Sequence, residues 1–342
     1  MMDRLRQFFK SNPRMDSLLI ASWDASAATD PNFLYHTGLS IDRATFIAKR
    51  GSEPVLIVNP LNEELAKEKF KGELSVFKPG EYRELLSKHL RSCKSLAVDK
   101  SAITASLYEN ILKATRAKVF DASEAFALQR ACKDEDEISA TRRAAQIARK
   151  AFKELYFRPG RTELELQFEL QALLLEYGAE PSFRPIIGFG KNSRFPHAES
   201  GHRKINRGEI MLVDWGAKWG NYCSDHTRCV FVGEPDYTQW NAYCKLQDVF
   251  KEIISFLRPG MPVQKVAKQY HSLLEDAGLP LPPHGLGHGI GLEVHEYPSF
   301  AKISTDHLVE NSTLAIEPAC YFKTFGVRFE DTIFLKKRAT RV

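Results

Sequence analysis

Asp214, Asp225, His288, Glu317 and Glu330 bring four carboxylates and one imidazole into the second half of the chain. Such an oxygen-rich set suits a pair of divalent cations better than one structural zinc, which takes thiolates and imidazoles. Asp214 and Asp225 lie in MLVDWGAKWGNYCSDHTRCVFV, where strand-forming residues flank a polar centre containing glycine. A hairpin turning at Trp219-Gly220 puts residues 214 and 225 directly opposite each other, with Cβ atoms about 5 Å apart. Two carboxylates that close repel unless a cation lies between them. His288 sits in HGLGHGIGLEVHE, whose glycines allow close backbone approach. Glu317 and Glu330 end the short apolar runs STLAIEP and GVRFEDT.

Through VDWGAKWGNYCSDHTR, HGLGHGIGLEVHE, AIEP and VRFEDT, the chain resembles the pita-bread metallopeptidases. That family contains Xaa-Pro aminopeptidases, prolidases, methionine aminopeptidases and the metal-free creatinases. The resemblance spans residues 130 to 340, and the N-terminal part is similar, more loosely, to the smaller domain of the Xaa-Pro and creatinase branch. It implies that Asp214 chelates one metal through both oxygens, that Asp225 and Glu330 bridge, and that His288 and Glu317 complete the other metal's shell. The cofactor it implies is two divalent cations, Mn²⁺ first, with Co²⁺, Zn²⁺ or Fe²⁺ also suited. Two such ions can share one water, lower its pKa and clamp a developing oxyanion.

Other residues gain roles from the same resemblance. Glu317 doubles in the family as ligand and proton shuttle, the plainer alternative being ligand alone. His197 and His295 match the family's substrate-contacting histidines, and an imidazole there can protonate an amide oxygen or steady a tetrahedral intermediate. His284 precedes His288 by four residues, but the glycines between them argue against a helix. It reads as a group behind the ligands or at the substrate site. Arg328 shares a strand face with Glu330, where it either pairs with a carboxylate near the metals or makes a structural ion pair. His226 follows Asp225 on a strand, points to the opposite face and stands outside the site.

Competing chemistries fail on their own residues. In GFGKNS, Asn192 follows Lys191 where a phosphate loop needs Ser or Thr. HEYPS at 295–299 lacks the second histidine of a zinc-protease helix, and no GxSxG elbow occurs. The six cysteines include no CxxC pair, so free thiols in a reducing cytoplasm are expected. A net charge of +5, not gathered into blocks, gives no case for nucleic acid or membrane. The N-terminal MMDRLRQFFKSNPRMDSLLIAS reads as an amphipathic helix and a strand rather than a signal peptide.

These residues need scaffolds, and 342 residues suffice for two domains. Residues 1–125 alternate short apolar runs (SLLIAS, ATFIAK, PVLIVN, SLAVD) with polar helical stretches, which predicts an α/β domain similar to the creatinase N-terminal domain. Residues 126–342 are expected to form the α+β catalytic domain. KDEDEIS opens a long helix whose Ile138, Thr141, Ala145, Ala148, Phe152 and Leu155 share a face. The stretch 152–178 echoes 250–278: both carry Phe-Lys-Glu, then Arg-Pro-Gly, then a helix closed by glycine. The echo predicts two similar halves about a pseudo-twofold axis, with a site collecting ligands from both.

The function implied is removal of an N-terminal residue before proline, with a metal-bridging hydroxide as nucleophile. The alternative is a prolidase acting on Xaa-Pro dipeptides; a methionine aminopeptidase or a binding module fits less well. The expected partners are a peptide substrate and a second copy of the chain. In that homodimer PNFLYHTGL (31–39), with His36 in a loop-prone setting, would border the neighbouring subunit's entrance or serve as ordinary packing.

Overall fold

The computed structural model describes residues 1–23, 29–301 and 303–342, in two compact units, Met1–Arg130 and Ala131–Val342. The boundary expected after residue 125 falls inside helix Ser123–Ala131, whose Phe126 is buried in the first unit's core.

The apolar runs of the first unit become a six-stranded sheet in the order Glu73–Val76, Val55–Val58, Ala44–Lys49, Ser17–Ser22, Ser95–Val98, Lys118–Asp121. Separate apolar cores lie on its two faces, around Phe46 and around Ile47, as a sheet buried on both sides requires. The segment 31–39 corrects the loop reading. Pro31–Thr37 is a helix, with the Asp30 carboxylate accepting from Phe33 N–H at 2.8 Å and Gly38 in the left-handed conformation that closes it. Phe33, Tyr35 and His36 are buried, so this segment packs its own unit.

In the second unit the long helix runs Glu135–Glu154 from an Asp134–Glu137 capping box. It packs with helix Glu163–Glu176 over Met211, Val213 and Trp215 of an eight-stranded sheet. Helices Tyr237–Phe256 and Val263–Asp276 cover Leu314, Ile316 and Ile333 of the same sheet. The internal echo is physical. Gly160 N–H donates to the Ile205 carbonyl as Gly260 N–H donates to that of Leu308. Likewise Glu163 N–H donates to Arg203 O, and Val263 N–H to Asp306 O. Each half thus pins a helix N-terminus to a later loop segment by equivalent bonds, beside the isolated bridges that pair Thr162 with Lys204 and Pro262 with His307.

Among the described residues no helix is long and apolar enough to cross a membrane. The six cysteines carry no disulfide.

Candidate metal centre

The site is built by sheet register. Strand Ile210–Trp215 pairs antiparallel with His226–Phe231 so that Asp214 faces Thr227, and Thr227 in turn faces Glu330 on strand Glu330–Leu335. The register of Ser312–Ile316, which pairs Ile316 with Asp331, brings Glu317 opposite Glu330 one step later. Asp214, Thr227, Glu330 and Glu317 therefore form one row across four strands. In the next row of the same face His288 faces Ala315, Ala315 faces Thr332, and Thr332 Oγ1 accepts from Asp225 N–H at 2.8 Å.

The hairpin differs from its sequence expectation by one residue. The pairs Trp219↔Tyr222 and Lys218↔Cys223 place the turn at Gly220-Asn221, whose φ values of 56° and 71° suit a primed hairpin turn. Asp214 consequently faces Thr227, and Asp225 becomes its diagonal neighbour on the same face. The glycines beside His288 are needed sterically. A Cβ on Gly287 would lie 2.0 Å from the Ala315 carbonyl oxygen, and one on Gly289 2.1 Å from that of Tyr297.

Ligand-capable atoms of Asp225, His288 and Glu330 lie within 4.8 Å of one another, and His288 Nε2 is 3.7 Å from Asp225 Oδ2. His288 Nδ1 lies 3.0 Å from the Gly289 carbonyl, an arrangement that keeps the proton there and the Nε2 lone pair facing the carboxylates. Asp214 joins through Arg328, whose Nη2 donates to Oδ2 at 2.5 Å. Glu317 Oε2 is 3.8 Å from His284 Nδ1. His295 and His197 are exposed, and the His295 ring centroid stands 4.2 Å from that of His288. His226 faces away, bonded to Asp331 at 3.1 Å.

Two residues absent from the sequence reading join these. Thr227 Oγ1 donates to Glu330 Oε2 at 2.6 Å and accepts from Arg328 Nε at 3.0 Å. Its spacing of two from Asp225, one strand face, was the available signal. The Tyr321 hydroxyl lies 2.9 Å from His284 Nε2 and 3.3 Å from Arg328 Nη1. No sequence pattern marks it.

The electrostatics describe a site short of positive charge. Burial raises the Asp225 carboxyl well above its usual range, and Glu330, Asp214 and Glu317 raise it further. Burial likewise raises Glu330, helped by Glu317 and Asp214. Glu317 is pushed up to about 7 by burial, against the pull of Arg328. His288 is lowered to about 4 by burial and by His295, so its imidazole is neutral, as a metal ligand must be. Asp214 Oδ1 and Asp225 Oδ1 are buried without a hydrogen-bond donor among the described residues. Crowded carboxylates, a neutral imidazole and orphaned buried oxygens fit a divalent cation.

Comparison with known proteins agrees with this geometry. Residues 139–337 match Metallopeptidase family M24, and residues 1–132 match the Creatinase/Prolidase N-terminal domain. An Xaa-Pro dipeptidase of Pyrococcus horikoshii is 30% identical over 339 residues, covering 97% of this chain and 93% of that relative. Among solved structures, an Xaa-Pro dipeptidase from Bacillus anthracis has a TM-score of 0.91 at 25% identity, over 99% of this chain and 96% of that one. An X-Pro aminopeptidase from Thermotoga maritima has a TM-score of 0.88 at 26% identity, over 97% of each chain. A creatinase-type α/β domain is thus joined to a pita-bread catalytic domain whose sheet face gathers hard ligands, and the chain belongs to Metallopeptidase family M24.

Proposed function

We propose that this chain is a metal-dependent Xaa-Pro dipeptidase, cleaving the bond before proline in dipeptides. The observation that carries it is the carboxylate and imidazole face, in a chain that matches an Xaa-Pro dipeptidase along nearly its whole length. The aminopeptidase reading suggested by the sequence becomes the second choice, favoured by the likeness to the Thermotoga X-Pro aminopeptidase.

Asp214, Asp225, His288, Glu317 and Glu330 would hold two divalent cations, Mn²⁺ first. Cations bound there supply Lewis acidity, lowering the pKa of water and polarising a carbonyl. The protein's own groups do the rest. Glu317, raised to about 7 by burial, takes a proton from the attacking water in its ionised form and passes it to the leaving proline nitrogen. His295 and His197, exposed beside the ligands, donate N–H bonds to substrate oxygens as negative charge develops. Arg328 holds Asp214 in place, and Tyr321 orients His284 behind Glu317. A cytoplasmic homodimer belongs to the same proposal, and light scattering of the purified protein tests the assembly.

The decisive assay compares Ala-Pro with Ala-Pro-Ala, using chelated protein reloaded with Mn²⁺. Turnover of the dipeptide alone is expected. Comparable turnover of the tripeptide would transfer the assignment to the aminopeptidase, and no metal-dependent turnover of either would overturn both.

A further inference from the structure

Glu163 opens helix Glu163–Glu176 and is buried, 1% exposed. A buried carboxylate normally demands a cation, yet Glu163 has no ion pair among the described residues. Its oxygens are satisfied by one loop. Oε1 accepts from Phe189 N–H at 2.8 Å and from Asn192 Nδ2 at 3.0 Å; Oε2 accepts from Gly201 N–H at 2.9 Å and again from Asn192 Nδ2 at 3.0 Å. These donors stand at the two ends and near the start of residues 189–201, the stretch that carries His197. Midway along it, the carbonyl of Pro196 accepts from Arg328 Nη1 at 3.4 Å, the guanidinium that also holds Asp214.

The internal echo supplies a control. One hundred positions later in the second copy stands Val263, completely buried at the equivalent start of helix Val263–Asp276. Both positions donate their own N–H to a later loop segment beside an isolated β-bridge in the same way. A valine therefore satisfies the packing of this helix start, and the carboxylate answers a need particular to the first half. What that half has there is the loop bearing His197.

We propose that Glu163 is a positioning residue: by clamping both ends of residues 189–201 it fixes His197 against substrate. The proposal rests on the reading of His197 as a substrate-contacting group. Glu163→Gln keeps the size but replaces one acceptor with a donor, which must face an N–H already there, so one end of the loop is released. A displacement of about 1 Å at a substrate contact costs on the order of 10²-fold in turnover efficiency.

The test is a double-mutant cycle on Ala-Pro hydrolysis, with metal content and thermal melting measured on each protein. The variants are Glu163→Gln, His197→Ala and the two combined. Asn192→Ala, which weakens the clamp from the loop side, stands in should the Glu163 variant fail to fold. The expected result is a Glu163→Gln enzyme with normal metal content, the same KM-against-kcat split as His197→Ala, and no further loss in the double variant. Losses that multiply in the double variant overturn the proposal, and so does a wild-type Glu163→Gln enzyme beside an impaired His197→Ala. Wild-type kinetics in His197→Ala overturn instead the role of His197, and the proposal with it, while leaving the metal ligands untouched.

Discussion

Arg328 and Asp214 form a buried ion pair at 2.5 Å, between a three-residue strand and the first of the carboxylate-bearing strands. The guanidinium spends a second nitrogen on Thr227 and a third on Tyr321 and Pro196. A lysine cannot make this fork. Arg328→Lys should fold and yet bind Mn²⁺ about 10–100-fold more weakly, as expected when a ligand loses the partner that orients it. Calorimetric titration giving wild-type affinity would show that Asp214 needs no such support.

Thr227 sits in the row between Asp214 and Glu330 and is fully buried. Thr227→Val preserves its shape but leaves Glu330 Oε2 and Arg328 Nε without their shared hydroxyl. A destabilisation of about 1–3 kcal/mol is expected from the unsatisfied buried groups. Denaturant unfolding of the metal-free protein measures it, and an unchanged midpoint would remove Thr227 from the network.

Glu317→Gln tests proton transfer. The amide cannot carry a proton, so turnover should fall by about 10²–10⁴-fold with the fold retained. Circular dichroism checks the fold and a stopped assay the rate. Activity within a few-fold of wild type would make Glu317 a ligand only.

The metal-free protein should lose stability as pH rises above neutrality. Asp225, Glu330 and Glu317 have folded-state pKa values raised above their unfolded ones, so the folded state binds more protons. That contribution is present below about pH 4 and is lost as pH climbs through the raised folded-state values, about 7 for Glu317. His288 and His284, both lowered to about 4, act in the opposite sense, but only below their unfolded value near about 6.5. Above that value these histidines no longer oppose the carboxylates. Melting temperatures in chelator should therefore fall from pH 6.5 to 8.5, and added Mn²⁺ should abolish the fall. A flat profile in chelator would mean that these carboxylates do not strain the folded state.

The five candidate positions stand out in the sequence because each sits in a local pattern with few alternatives, such as the glycines around His288 or the acid ending STLAIEP, and the structure gathers Asp225, His288 and Glu330 into one group. The echo of 152–178 in 250–278 was equally plain, and equivalent backbone bonds bear it out. What escaped was set by tertiary register. Trp219-Gly220 and Gly220-Asn221 are both plausible turns; two positive φ values chose the latter and put Thr227 opposite Asp214. The segment 31–39 has aromatic and polar residues compatible with a loop, but Asp30, Pro31 and Gly38 supply a helix start and stop, and burial of Phe33 and His36 completes it. Glu163 carries no local pattern that marks it; that its carboxylate holds a loop some thirty residues on is visible only after folding.

The two rows of candidate ligands straddle the pseudo-twofold division of the second unit. Asp214 and Asp225 come from the first half, while His288, Glu317 and Glu330 come from the second. Neither half alone presents a complete set. A cation held by both would therefore act as a removable tie between distant stretches of the folded chain, stabilising the folded state because the unfolded chain offers no such site. Its loss should loosen both halves together, so that chelation opens the whole second unit to proteolysis in one step instead of exposing one half before the other.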